Sequence, residues 1–148
     1  MSMEITGLDE VMERLRSASD GTLADIALRR ALTVAGKAVQ KTAKELVHKG
    51  TSQLWESIEV VPLENGVDIG TNLEWGFYEE YGTGKQGDPS VEHTNKDKWS
   101  YEDDDGNWHT TSGHEPHPFL FPALEMRKNE IPGIVREELE KAIQGGVG

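Results

Sequence analysis

The side chains best placed to do chemistry are His109, His114 and His117, with His93 upstream and the carboxylates of Asp103, Asp104 and Asp105 just before them. Imidazole and carboxylate donors in that number suit a zinc ion. The spacing H-x4-H-x2-H falls on a loop rich in Gly and Pro, with no helix to hold the ligands on one face. It matches neither H-E-x-x-H nor a cysteine-bearing ribbon. Loop histidines bonded to backbone are the simpler account, and a small metal-binding module or metal-dependent enzyme built on His109, His114 and His117 is the alternative. Asp103-Asp104-Asp105-Gly106-Asn107 suggests a calcium loop, but with Gly106 at position six the first and twelfth positions are Tyr101 and Ser112, so two essential ligands are missing. It reads as a solvated acidic turn.

Other reactive patterns also fail. Gly82-Thr83-Gly84-Lys85 lacks the full phosphate-loop frame and has Gln86 where a magnesium-binding hydroxyl belongs. Glu79 and Glu80 are adjacent, and neighbours in extended chain point apart, which argues against a shared acid/base site. There is no Gly-x-Ser-x-Gly elbow. The chain does not read as an enzyme, and no cofactor is expected.

Composition narrows the class further. The 148 residues fit one domain, expected over 1–144, with 145–148 as a flexible Gly-rich tail. There is no cysteine, so packing must hold the fold. A formal charge of −12 disfavours specific nucleic-acid binding and favours solubility. Met1 to Ile5 lacks the basic start and apolar run of a secretion signal, and no segment approaches a membrane span, so folding in a cytoplasm is expected.

The elements follow from periodicity. Leu8, Val11, Met12 and Leu15 mark a short helix over about Leu8 to Arg16. A long helix is expected from Thr22 to His48, with Leu23, Ala27, Ala31, Val34, Ala38 and Thr42 on one face, Ile26, Val39 and Leu46 widening it, and Lys49-Gly50 as its stop. Trp55 to Val61 reads as a strand, paired through Pro62-Leu63-Glu64-Asn65-Gly66 with Gly66 to Gly70. Trp75 to Tyr81 fits either a helical turn or an edge strand. The polar stretch 85–109 is expected to leave the core as an exposed excursion, with a small hairpin around Asp105-Gly106. Pro122 suits the first turn of a C-terminal helix whose apolar face is Leu124, Ile131, Ile134, Val135, Leu139 and Ile143, and Pro132 should divide it. Pro118, Phe119, Leu120, Pro122 and Leu124 are expected to dock that helix onto the sheet. The fold class is α+β: long N-terminal helices and a C-terminal helix on a small, mainly antiparallel sheet, with a projecting hairpin.

The motifs that stand out are structural in type. Tyr78-Glu79-Glu80-Tyr81-Gly82-Thr83-Gly84 is answered by His114-Glu115-Pro116-His117-Pro118-Phe119-Leu120-Phe121-Pro122-Ala123-Leu124-Glu125. Aromatics, glycines and prolines fix turns and anchor loops without offering a nucleophile. Trp55, Trp75, Phe77, Tyr78, Tyr81, Trp99, Tyr101, Trp108, Phe119 and Phe121 nearly all lie between the long helices, and each serves either a core or an interface.

In order and spacing these segments resemble the siphophage head-to-tail connector or tail completion (neck) family, with its Tyr-x-x-Tyr/Phe-Gly-Thr-Gly turn and later Pro-x-Pro-Phe-x-x-Pro-Ala-Leu segment. The resemblance extends to Gly7-Leu8-Asp9-Glu10, to the Ala- and Lys-rich helix, and to Thr51-Ser52-Gln53-Leu54-Trp55-Glu56-Ser57-Ile58, where Ser52 replaces Gly and Glu56 stands where a basic residue is common. It implies a virion structural protein assembled in the bacterial host cytoplasm. Its place would be the neck, as a hexameric ring between a portal-associated connector or head completion protein and a tail terminator or tail tube protein. Genome DNA would pass through the acidic ring without specific binding. The expected structural and interface residues are Tyr78, Tyr81, Gly82, Thr83, Gly84, Pro118, Phe119 and Pro122 from the two motifs, with Trp99 and Trp108 from the aromatic set.

Overall fold

A computed structural model describes residues 5, 7–18, 21–47, 52–64, 66–91, 94 and 96–145. His93, Asn65, the His48 to Gly50 helix stop and the last residues of the Gly-rich tail lie outside the described residues. The class is α+β, with helices dominant and, among the described residues, the strands in two separate two-stranded antiparallel sheets.

The chain opens with α1 (Asp9–Ala18) and the 26-residue α2 (Gly21–Leu46), a rod of about 39 Å. The other packed elements gather on α2: α1, β1 (Glu59–Pro62), β2 (Val67–Gly70), α5 (Leu120–Arg127) and α6 (Ile131–Gly145). Its buried face is Ala24, Ala27, Ala31, Ala35, Val39, Thr42 and Ala43. Small side chains at this spacing let the neighbouring helices approach closely, so Val11, Leu15, Phe119, Ala123, Val135 and Leu139 complete a tight core. Two residues assigned to the face from sequence are corrected: Val34 and Leu46 are 40% and 37% exposed. The centre of the stripe follows the alanines, and Val34 lies off to one side.

On another side of α2 the β1–β2 hairpin lies close. A Cβ at Gly36 would come within 3.0 Å of the Val60 and Val67 side chains, so a residue without one lets the sheet settle on the helix. Gln40 also donates Nε2–H to the Ile58 carbonyl at 2.7 Å where the chain enters β1. The register pairs Glu59 with Gly70 and Pro62 with Val67, the hairpin expected from the alternating pattern.

The strand expected to begin at Trp55 does not. Ser52–Ser57 is a short helix, α3, and β1 starts at Glu59. Leu54 is fully buried by this turn, and the Ser57 hydroxyl donates to the Leu54 carbonyl at 2.7 Å at its C-terminal end. The undecided segment becomes α4 (Glu74–Tyr81). Farther on, β3 (Trp99–Glu102) and β4 (Trp108–Thr111) form the second hairpin, pairing Trp99 with Thr111 and Glu102 with Trp108 around the Asp103 to Gly106 turn.

The C-terminal helix is divided. α5 ends at Arg127 and α6 starts at Ile131, with Pro132 in its first turn, because proline has no N–H and clashes with the preceding turn. Gly145, placed in the tail on sequence grounds, is the last residue of α6. The surface on which α5 docks is α2, which corrects the expected docking onto the sheet. Arg127 ties the end of α5 down by donating Nε–H to the buried Thr42 hydroxyl at 2.7 Å.

If close approach to α2 sets this core, enlarging its small face must cost stability. Ala31→Leu should destabilise the protein by about 1–3 kcal/mol in chemical denaturation. An unchanged midpoint would show that the face has room to spare.

Candidate functional site

The two motifs singled out in the sequence form one junction. α5 begins at Phe119-Leu120 with no side chain of its own to accept the N–H groups of its first turn. The acceptor arrives from α4. Glu80, only 5% exposed, takes Phe119 N–H and Leu120 N–H on Oε2 at 2.7 and 2.9 Å, and Phe121 N–H on Oε1 at 2.8 Å. A carboxylate here meets the positive end of the α5 dipole and satisfies orphan donors together. Glu79 contributes through its backbone, its carbonyl accepting His117 N–H at 2.7 Å.

Below this clamp the chain leaves and returns through a narrow gap. Thr83 N–H donates to the His114 carbonyl at 3.0 Å, and His114 N–H donates to the Thr83 hydroxyl at 3.2 Å. Gly82, at φ 72° and ψ −179°, occupies a region essentially restricted to glycine, and a Cβ there would sit 2.7 Å from the His114 carbonyl oxygen. Gly113, at φ 88°, is pressed against the Thr83 carbonyl from the other side. Gly84 is buried beside the half-buried Trp99 ring, which seats the base of the β3–β4 hairpin.

The remaining residues divide between core and surface. Phe119 is fully buried, Pro122 is half-buried in the first turn of α5, and Pro118 is exposed. Tyr81 is half-buried, with its ring 4.8 Å from that of Phe77. Tyr78 is exposed and donates its hydroxyl to Glu74 at 3.2 Å; partial burial and the Glu74 charge push its pKa above the ordinary phenol value. Trp108 is 70% exposed on the hairpin.

The histidines do not converge. His109 Nε2 lies 2.6 Å from Asp103 Oδ2, while His114 stacks on His117 with ring centroids 6.4 Å apart. Among the described residues no three His, Asp or Glu side chains are grouped to hold a metal ion. An open apolar groove of about 830 Å³ runs between α2, the β1–β2 hairpin, α4 and α5. The ionisable acids along it are Glu59, Asp68 and Glu80, and Glu80 is already committed to the α5 backbone. The arrangement is built to join elements. Comparison with family models, with curated proteins and with solved structures finds no match for this chain.

Glu80 was the residue missed from sequence. Glu79 and Glu80 lie in helix α4, not in the extended chain from which their divergence was argued; Glu80 is buried, while Glu79 engages through its carbonyl. The usable signal was a helix start at Phe119-Leu120 with no Ser, Thr, Asp or Asn at its cap, which leaves its first N–H groups in need of an acceptor from elsewhere.

Glu80→Ala would orphan one buried and two part-buried N–H donors, and at about 1–3 kcal/mol for an unsatisfied buried group the loss should be at least about 1–3 kcal/mol. Glu80→Gln, with one accepting oxygen, should fall between wild type and Glu80→Ala. Equal midpoints for all three proteins in urea would refute the clamp.

The hairpin turn has its own pH dependence. The His109 imidazole, and then the Asn107 and Asp105 N–H groups, hold the Asp103 carboxyl below its ordinary value. A lowered folded-state pKa means that Asp103 supports the hairpin above the usual carboxylate pKa of about 3.9 and that this support is lost as pH falls through the lowered value. The Trp108 indole NMR signal should therefore keep its folded position at neutral pH and move to a random-coil position on acidification. Asp103→Asn should remove that acid step.

Proposed function

We propose that this chain is a structural protein of a siphophage neck. In this reading it joins a portal-associated connector or head completion protein to a tail terminator or tail tube protein and completes the tail as a hexameric ring. One observation carries the reading: the two segments on which the family resemblance rests meet in the fold, with Glu80 of the first capping the helix that the second begins. Segments 31 residues apart, at Thr83 and His114, are bonded to each other as parts of a single joint.

The chemistry of the joint supports a mechanical role. Its buried carboxylate is occupied by backbone N–H groups, and its glycines serve close backbone approach. Around it stand exposed aromatics, Phe77, Tyr78 and Phe121, with Trp108 farther out on the hairpin, of the type that anchors protein interfaces. The net charge of −12 suits a ring through which DNA passes without adhering. No helix is long and apolar enough to cross a membrane among the described residues. The protein acts in the virion, after assembly in the bacterial host cytoplasm, and is not an enzyme.

Cryo-EM of virions containing this chain should place a ring of it between head and tail. Particles lacking it should accumulate as DNA-filled heads and separate tails. Intact infectious particles formed without the chain would overturn the proposal.

A further inference from the structure

The acidic composition hides a basic strip. Arg30, Val34, Lys37, Lys41 and Lys44 recur at four- and three-residue intervals along α2, so they share one side of the helix over about 21 Å. This side faces away from the alanine face: Arg30, Val34, Lys37 and Lys41 are exposed, and Glu45 lies only at its border. Like charges one turn apart repel within a helix. Among the described residues neither Lys37 nor Lys41 has an ion-pair partner. Lys44 lies 4.3 Å above the ring of Trp55, itself about half exposed, which adds an aromatic surface at one end of the strip.

The opposite chemistry sits on the β3–β4 hairpin. Asp103 is occupied by its own turn and by His109, but Glu102, Asp104 and Asp105 are exposed and have no ion-pair partner among the described residues. Next to them Trp108, cross-strand partner of Glu102, is more exposed than any other large apolar side chain among the described residues. Acidic and aromatic groups on the hairpin thus complement basic and aromatic groups on α2, and among the described residues no ion pair joins the hairpin to Lys37 or Lys41.

We propose that the β3–β4 hairpin of one copy docks, through Glu102, Asp104, Asp105 and Trp108, on the Arg30–Lys44 side of α2 in a second copy. The contact uses two different patches, so it repeats head to tail and closes into a ring where the rotation allows. It supplies local attraction between protomers whose net charges repel, with the tryptophans excluding water from the charge pairs. This deepens the ring reading above by naming the surfaces that meet.

A charge-swap experiment on the full chain tests it, with oligomer mass read by sedimentation up to about 1 mM, where even millimolar association registers. Wild type should self-associate. K37E/K41E and D104K/D105K should each associate at least about tenfold more weakly, since each sets like charges together. Mixing the two variants, or combining all four substitutions in one chain, should restore assembly. Circular dichroism melts confirm folding, and K37Q/K41Q and D104N/D105N replace any swap that unfolds, with weakened association again expected. Self-association unaffected by the swaps would overturn the docking while leaving the neck reading to be judged by location in the virion. A wild type that stays monomeric throughout would overturn the docking as well. Loss of duplex DNA binding by K37E/K41E with unchanged oligomer mass would make the strip a nucleic-acid surface and also overturn it.

Discussion

A carboxylate placed at the start of a helix that cannot cap itself is the constraint on which the rest of this fold depends. Taking a carboxylate out of water costs several kcal/mol, and only excellent geometry offsets it. Glu80 has that geometry, with three backbone donors between 2.7 and 2.9 Å and the positive end of α5 behind them. Hydrogen bonds to a charged group contribute about 1.5–3 kcal/mol each, enough together to outweigh the burial. Because donors and acceptor belong to segments about forty residues apart, the clamp also fixes where the intervening chain must leave and return.

That fixed exit explains why the β3–β4 hairpin can project without losing its direction. Its base passes between Gly82 and Gly113, where the backbones lie too close for a side chain, and Trp99 rests against Gly84. Beyond the base the hairpin is held by its own ladder and turn. Rigidity thus resides in the backbone crossing, and the exposed residues beyond it are free to be charged and aromatic. The long helix has a similar division of labour: alanines meet the other helices, Gly36 meets the β1–β2 hairpin, and a third side is left to solvent.

Features written in local physics were legible in the sequence. The span of α2, the Asp105-Gly106 hairpin and the break at Pro132 follow from periodicity, turn chemistry and the missing proline N–H, and none needs a distant partner. Trp55 was misread because its β-type neighbours Ile58, Val60 and Val61 outweighed the single turn that buries Leu54. Val34 was misplaced because the three- and four-residue spacing from Leu23 through Val34 drifts away from the interior side, which is centred on Ala24, Ala31, Ala35 and Thr42. The joint itself was half legible. Its residues were marked by glycine, proline and aromatic spacing, but that they touch depends on Glu80 reaching across from another helix, a tertiary fact with no local period.

Net charge is a sum, and it conceals where opposite signs have been separated. At −12 the chain reads as self-repelling, yet screening at physiological salt limits such repulsion to about 8 Å, so charges far from a contact contribute little to it. What governs association is the sign of the groups brought face to face. Here Arg30, Lys37, Lys41 and Lys44 line one outward side of the longest helix, while acids cluster at the tip of a hairpin anchored elsewhere in the fold. The close backbone crossing of Gly82 and Thr83 with Gly113 and His114 lies at the root of that hairpin, so a bulkier residue at Gly82 or Gly113 would be felt at the exposed tip before any surface charge had been altered.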